Sequence, residues 1–314
     1  MNPTLRRERY LALSLPHRKA GRGELDRYVE PLGPGLHHLF LLRVNGNDWV
    51  GRKLLQHSEI DGWHISSLLK PSMLLGPVAE WYWGNQGVVI HFHAVPAQEK
   101  NAAFHDALTQ PDSEVRFPFP VLDKHGQECV CPPDYWRCNT ALAAQLDADE
   151  DHFRQHCANL LKTLSHPGAV IHDPACSTGE FIAHLARELP DRQYLGSDLS
   201  ASMIEHAIKH HGTSAIRFQL ADARHFATSG HQCDVLILRF LNAEVMTREE
   251  AQHTFHKMAA CVKPGGTMLL FGHTPVLVAV PYMAQRLELE LISSIAARPG
   301  HTELFQFYRL RKPA

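Results

Sequence analysis

Short apolar runs recur along the second half of the chain, and longer stretches with helical spacing separate them. One run covers 170–171 and leads into His172 and Asp173. The run Tyr194-Leu195-Gly196-Ser197 ends in Asp198, and 216–220 is closed by Ala221-Asp222-Ala223. Two more follow at 234–238 and 267–271, the last launched by Lys263-Pro264-Gly265-Gly266, which ends the helix before it. A helical pattern fills 141–164 ahead of the first strand, and Leu199-Ser200-Ala201-Ser202-Met203-Ile204 opens another helix after the second. Strands alternating with helices predict βαβ units. The 234–238 strand is apolar enough to lie at the centre of a parallel sheet, covered on both faces.

The first part of the chain has a different texture. Strand-like runs at 35–44 and 88–95 are punctuated by Asn45-Gly46 and Gly84-Asn85-Gln86-Gly87 turns. Between them 68–79 is apolar and predicts a helix broken near Pro77. Trp81-Tyr82-Trp83 is expected to pack into the core, with a place under a lid or in a substrate pocket as the alternative. Prolines in Phe117-Pro118-Phe119-Pro120 and Cys131-Pro132-Pro133 stop regular structure. The division expected is an N-terminal accessory or lid domain over 1–125 and a cofactor-binding domain over 126–314.

Composition narrows the class. With 314 residues, 44% hydrophobic and 20% charged, the chain is expected to bury a large core and remain soluble. A net charge of −2 supplies no basic field for a polyanion, so no nucleic-acid partner is expected. Arg6-Arg7-Glu8-Arg9 reads as a solvated face. Leu11-Ala12-Leu13-Ser14-Leu15 is too short for a secretory segment and stops at Pro16, and no apolar run reaches bilayer length, which predicts a cytoplasmic protein without a membrane partner. Seven scattered cysteines do not form a secreted disulfide framework. Among the 23 histidines, His91 and His93 share a strand face, and His206, His210 and His211 fall on one helix. Cys129, Cys131 and Cys138 lack a second pair to close a zinc set, so no metal is expected.

The chemistry concentrates where the first strand of the second half meets its helix. Val170-Ile171-His172-Asp173-Pro174-Ala175-Cys176-Ser177-Thr178-Gly179-Glu180-Phe181 runs from a strand through an acid into a small-residue turn and then a helix. Such a turn lets backbone approach a ligand, and the helix start offers free N–H groups. Asp198 follows at the end of the next strand, where a carboxylate meets a ribose diol, and Asp222 follows the third.

With these motifs the chain resembles the class I S-adenosylmethionine (SAM)-dependent methyltransferases over 126–314. The resemblance implies an α/β fold: a doubly wound, mostly parallel, seven-stranded Rossmann-like sheet. It further implies SAM as cosubstrate or sole substrate. Asp173 and the turn Ala175, Cys176, Ser177 and Gly179 would lie against the methionine part, Asp198 on the ribose hydroxyls, and Asp222 facing the adenine amino group. Leu199, Met203, Ala223 and Arg239 complete the expected cofactor set. Of the family's G-x-G-x-G turn only Gly179 remains, with Ala175 and Ser177 in the other places, so this turn is expected to avoid dihedrals that only glycine tolerates. A dinucleotide-binding Rossmann domain fits less well, because the missing glycines remove the room a pyrophosphate needs.

The reaction is less directly written. After the fourth strand the chain reads Arg239-Phe240-Leu241-Asn242-Ala243-Glu244, without the N/D-P-P-Y/F motif of amino-group methyltransferases and without the histidine base of many small-molecule ones. Pro132-Pro133-Asp134-Tyr135 stands at the other end of the domain. The Ala-Cys-Ser-Thr-Gly turn and Tyr135-Trp136-Arg137-Cys138-Asn139-Thr140 are similar to the azetidine-2-carboxylate synthases, in which the α-amino nitrogen of SAM attacks its own γ-carbon and expels methylthioadenosine. That resemblance makes Tyr135 and Asn139 the expected catalytic residues, with Tyr135 or Trp136 facing the sulfonium. The alternatives are methyl transfer to a small-molecule acceptor and a non-catalytic SAM-binding protein.

Overall fold

The computed structural model describes residues 3–15, 23–31, 38–58, 62–120, 122–123, 125–148, 150–212, 215–226, 229–298 and 300–314. Residues 35–37 of the first strand-like run, and Pro16, lie outside them. The chain forms two compact units, Met1–Cys129 with Ser293–Gln306, and Val130–Ile292 with Phe307–Ala314. The division thus falls at Cys129 rather than 125, and a C-terminal segment returns to the first unit.

The first unit holds helix α1 (Pro3–Ser14) and strands β1 (Leu25–Pro31), β2 (Leu39–Val44), β3 (Asn47–Arg52), β4 (Gln56–Ser58), β5 (Gly62–His64), β6 (Leu74–Gly84) and β7 (Gly87–His93). Helix α2 (Ala97–Thr109) and strand β8 (Glu114–Arg116) follow. Six of the strands make an antiparallel sheet in the order β1-β7-β6-β3-β2-β8, while β4 pairs with β5. Helix α2 buries Ala103, Phe104 and Ala107 in the core formed with Phe40, Leu42, Ile90 and Phe92.

Three expectations fail in this unit. The apolar stretch 68–79 is a 3-10 turn at Pro71–Met73 running into β6, because pairing with β3 and β7 overrides the local pattern. Trp81, Tyr82 and Trp83 are about half exposed instead of core. They lie beyond the register in which β3 pairs β6, and Trp81 and Trp83 meet Phe119 edge-on at 5.7 and 5.3 Å. The N-terminal basic cluster is not a solvated face either: Glu8 is buried and accepts from Arg52 Nη1 and Nη2 at 2.9 and 2.8 Å. Arg52 Nε donates to Glu30 at 2.5 Å, as do Arg7 Nη2 and the Tyr28 hydroxyl at 2.8 Å each.

The second unit carries α3 (Thr140–Ala148), α4 (Asp151–Leu164), β9 (Val170–Asp173), α5 (Glu180–Glu188), β10 (Gln193–Asp198), α6 (Ala201–His211), β11 (Ile216–Leu220), α7 (Ala223–Phe226) and β12 (Cys233–Leu238). After these come α8 (Arg248–Ala259), β13 (Val262–Phe271), α9 (Val280–Arg286), β14 (Glu290–Ala297) and β15 (Leu304–Arg311), of which β14 and β15 cross the boundary between units. The seven-stranded sheet has the order β11-β10-β9-β12-β13-β15-β14, with β9 to β13 parallel and β15 antiparallel to β13. Strand order reverses between β9 and β12, and the crevice beyond the carboxyl ends of strands at such a switch point is where open α/β sheets bind ligands. Helices α4 and α5 cover the sheet with Phe153, Cys157, Leu161, Phe181, Ile182 and Leu185, and Phe271 stacks between Phe153 and Phe307 at 4.8 and 4.9 Å.

Two local departures bear on the site. The helical pattern 141–164 is two helices, and Arg154 Nη2 donates to the Asp147 carbonyl near the end of the first at 2.9 Å. Lys263-Pro264-Gly265-Gly266 is part of β13 rather than ahead of it, with a register shift against β12 at Cys233/Val235.

Candidate functional site

Strand β9 delivers Asp173 to its carboxyl end, and the turn behind it is shaped by backbone rather than by glycines alone. Ser177 takes a left-handed φ of +52°, and Gly179 one of +83°. The turn therefore does enter the region expected to be avoided, at a cost for Ser177 of about 1–2 kcal/mol. Hydrogen bonds hold it there: Cys176 N–H donates to Ser197 O at 2.8 Å, Gly179 N–H to Cys176 O at 2.9 Å, and Ser177 N–H to Asp198 Oδ2 at 2.9 Å. Gly179 is needed for packing, since a Cβ there would lie 2.8 Å from Ala207 Cβ and 3.0 Å from the Phe218 ring.

The three acids have different surroundings. Asp198 spans the turn and the next helix start, accepting from Ser177 N–H and, through Oδ1, from Ser200 N–H at 2.8 Å. Burial raises its carboxyl and those two bonds oppose the rise. Asp222 is gripped by Arg224, whose Nη2 lies 2.6 Å away, and this pairing holds its carboxyl low. Asp173 is fully buried and accepts from Arg239 Nε at 2.9 Å and Ala175 N–H at 3.3 Å.

Arg239 links this floor to the helix break. Its Nη1 pairs with Glu150, its Nη2 donates to Cys176 O at 3.1 Å, and its guanidinium lies 4.9 Å from the centre of the Phe181 ring. Burial raises the Glu150 and Asp173 carboxyls, and Arg239 opposes both shifts. Asp147, on the other side of the break, accepts from the Thr178 hydroxyl at 2.8 Å.

Residues 130–138 cross the site as a strap tied at both ends. Cys131 N–H donates to Glu244 O at 2.8 Å, and Glu244 adopts φ +83°. At the far end Ser200 Oγ donates to Trp136 O at 3.0 Å, and Cys138 N–H to Ser202 Oγ at 2.9 Å. Tyr135 and Trp136 pack edge to face at 5.0 Å, with Tyr135 the more exposed; burial and the nearby Glu244 raise its hydroxyl.

These elements enclose a cavity of about 880 Å³. Of the expected residues, Tyr135, Ala175, Ser177, Asp198, Leu199, Met203, Asp222, Ala223 and Arg239 line it. Asp173, Cys176, Gly179 and Asn139 are not among its lining residues. Asp173 and Cys176 support the floor from beneath, and Gly179 packs on α6 and β11. The Asn139 side chain accepts Leu142 N–H at 2.9 Å, which makes it the cap of α3. Sequence reasoning missed Asp147, Glu150, Ser200 and Ser202, all of which line the cavity. The signal for Ser200 and Ser202 was available, since both open α6 within a run already read as a helix start. The charged lining residues are mostly acidic, with Asp134, Asp147, Glu150, Asp198, Glu205, Asp222, Glu244 and Glu250 against Arg137, Arg224 and Arg239. Among the described residues no group of three or more His, Cys, Asp or Glu is arranged to hold a metal ion, and no helix is long and apolar enough to cross a membrane.

Comparison with known proteins places these features in context. Residues 171–266 match the family described as a methyltransferase domain. Isonocardicin synthase from Nocardia uniformis subsp. tsuyamanensis is 30% identical over 295 residues, which cover 91% of this chain and 96% of that protein. Among solved structures, the N-methyltransferase NodS of Bradyrhizobium japonicum WM9 is 17% identical, with 53% of this chain and 99% of that one covered at a TM-score of 0.42. Magnesium protoporphyrin IX methyltransferase from Synechocystis PCC 6803, solved with bound SAM, is 16% identical, covering 57% and 94% at a TM-score of 0.43.

Proposed function

Because this chain belongs to the class I SAM-dependent methyltransferase family, we propose that it is a SAM-dependent enzyme of small-molecule biosynthesis that cyclises SAM to azetidine-2-carboxylate and releases methylthioadenosine. The relative that matches across nearly its whole length is a synthase of isonocardicin, which supports biosynthesis of a specialised metabolite as the setting.

The lining suits SAM. A sulfonium is a cation, and a lining whose charged side chains are mostly carboxylates favours it while disfavouring a polyanionic acceptor. Asp198 would receive the ribose hydroxyls with an orientation already fixed by Ser177 and Ser200. Leu199, Met203 and Ala223 would flank the adenine, and Asp222 would reach its amino group only while sharing its carboxylate with Arg224. Tyr135 and Trp136, on the strap, would present π-faces to the sulfonium, an attraction of up to about 2 kcal/mol when water is excluded. Arg239 keeps N–H groups beyond its three hydrogen bonds to described residues with which to hold the α-carboxylate.

The observation that carries the cyclisation reading is that Asp147 and Glu150 both line the cavity, with Glu150 paired to Arg239. Ring closure needs a neutral α-amine, and carboxylates at the amino-acid end are suited to binding the ammonium and relieving it of a proton. Methyl transfer makes no use of that step. A second reading, methyl transfer to a small acceptor, is favoured by the size of the cavity, which at about 880 Å³ lies in the upper part of the usual range for small-molecule sites and leaves space beside SAM. The deciding experiment is incubation of the purified protein with SAM alone, followed by mass spectrometry. Equal amounts of methylthioadenosine and azetidine-2-carboxylate support the proposal. Unchanged SAM, with S-adenosylhomocysteine formed only when an acceptor is supplied, refutes it.

A further inference from the structure

Resting on the cyclisation reading, we infer that Glu150 is the base that removes the proton from the α-ammonium of SAM, while Arg239 holds the adjacent α-carboxylate.

Near neutral pH an α-amino group is mostly protonated, with an ordinary pKa of roughly 8, and an ammonium has no lone pair with which to attack carbon. Burial and hydrogen bonding set Asp173 apart from the two carboxylates that line the cavity, and pairing with Arg239 sets Glu150 apart from Asp147. Asp173 has no exposed surface, does not line the cavity, and has Oδ1 and Oδ2 engaged by Ala175 N–H and Arg239 Nε. Asp147 lines the cavity with one oxygen occupied by the Thr178 hydroxyl. Glu150 pairs through Oε1 with Arg239, and its Oε2 accepts no hydrogen bond among the described residues. Its side chain retains 17% of its surface, and it lines the cavity.

The backbone fixes that placement. Glu150 caps the start of α4 with an α-region backbone at φ −101°, ψ −1°, and its carbonyl accepts Arg154 N–H at 3.0 Å. The charged and titratable groups facing it are Arg239 from the end of β12, Asp173 from β9, Asp147 from α3, and Arg154 and the Cys157 thiol from α4. Burial raises the carboxyl, which makes it a better proton acceptor than an exposed glutamate, and the Arg239 charge opposes that rise.

The step balances without any co-reactant. Glu150 Oε2 takes one proton from the ammonium, leaving a neutral primary amine. The nitrogen lone pair forms the bond to the γ-carbon as the γ-carbon–sulfur bond breaks, and that electron pair remains on sulfur as the neutral thioether of methylthioadenosine. The ring nitrogen carries the positive charge that the sulfonium loses, and Glu150 returns its proton to solvent when the products leave.

The test is Glu150→Gln, with Glu150→Asp as the conservative partner, assayed with SAM alone by quantifying azetidine-2-carboxylate across roughly pH 6 to 9, alongside SAM affinity by calorimetry. The expected result for Glu150→Gln is a kcat lower by about 10²–10⁴ near pH 6.5, recovering as the pH rises and the free amine becomes available. SAM affinity should change by less than about tenfold, since an amide oxygen still accepts from Arg239. Glu150→Asp should recover part of the rate with a displaced pH profile, and it serves as the decisive variant should the glutamine protein not fold. A rate loss of equal size at every pH, or no loss, overturns the role of Glu150 while leaving cyclisation intact. Failure of the wild-type enzyme to form the cyclic amino acid overturns both.

Discussion

The carboxylate of Asp198 accepts the backbone N–H of Ser177 at 2.9 Å, and Ser177 is held at a φ of +52°. One acid thus anchors a strained residue that lines the cavity, besides facing the cavity itself. Asp198→Ala removes this bond and the one from Ser200 N–H. It also removes the proposed acceptor of the ribose hydroxyls, and since a hydrogen bond to a charged group contributes about 1.5–3 kcal/mol, SAM affinity measured by calorimetry should fall by at least about tenfold. An affinity within about threefold of wild type would remove Asp198 from the cofactor site.

The two left-handed residues of the turn should respond in opposite ways. Ser177→Gly relieves a strain of about 1–2 kcal/mol and should raise the thermal midpoint by a few degrees. Gly179→Ala should lower stability by about 2–4 kcal/mol, combining that strain with a Cβ forced against Ala207 and Phe218. Thermal melts of the two proteins check both signs, and equal midpoints would mean that the turn relaxes freely.

Asn139 caps a helix and does not line the cavity. Asn139→Ala should therefore cost about 1 kcal/mol, and Asn139→Asp, which also caps, should keep both stability and turnover near wild type. Turnover lost in a stable Asn139→Asp protein would show instead that the amide meets the ligand.

In the first unit Arg52 serves Glu8 and Glu30 with a forked set of donors. Arg52→Ala leaves two buried carboxylates without that partner and should destabilise by about 3–5 kcal/mol. Arg52→Lys should recover little of this, because an ammonium lacks the planar fork. Urea unfolding followed by tryptophan fluorescence measures both, and a shift under about 1 kcal/mol would show the network to be inconsequential.

His172 supplies a pH signature. It is fully buried on β9, its Nε2 lies 3.2 Å from Ser197 Oγ, and its Nδ1 has no hydrogen-bond partner among the described residues. Burial, with His231 adding to it, pushes its pKa down to about 3. The unfolded chain therefore binds more protons than the folded one between about pH 6.5 and 3, and stability must rise with pH across that window. The contribution is fully present above about pH 6.5 and is lost as the pH falls toward 3. Unfolding titrations of wild type and His172→Asn should diverge below about pH 6, with the variant less acid-sensitive. Parallel curves would show that His172 does not titrate on unfolding.

Much of the second unit was legible because its signals are local. Val170–Asp173, Gln193–Asp198 and Ile216–Leu220 are strands ending at or near acids, and alternation with helices fixes their parallel sense. Asp147 and Glu150 were not legible because a helical pattern continues through them, and only the folded chain shows α3 ending at Ala148 and Arg154 reaching back to Asp147. The aromatics of the strap were expected at the site, but its ties were not legible, since they join Trp136 and Cys138 to serines more than sixty positions away. In the first unit, residues 68–79 misled because apolar content alone does not separate a helix from a strand whose partners lie elsewhere in the chain.

The return of Ser293–Gln306 to the first unit limits how the gene can be divided. Leu304 is fully buried in that unit's core and exchanges backbone hydrogen bonds with Leu69 at 2.6 and 3.0 Å, while Phe307 onward belongs to the other unit. A fragment ending at Cys129 would lack a piece of its own interior, and the complementary fragment would carry a terminal hairpin whose tip has lost its partners. The two units therefore cannot be separated by one cut in the reading frame, and expressing either one alone requires a circular permutation or a grafted hairpin.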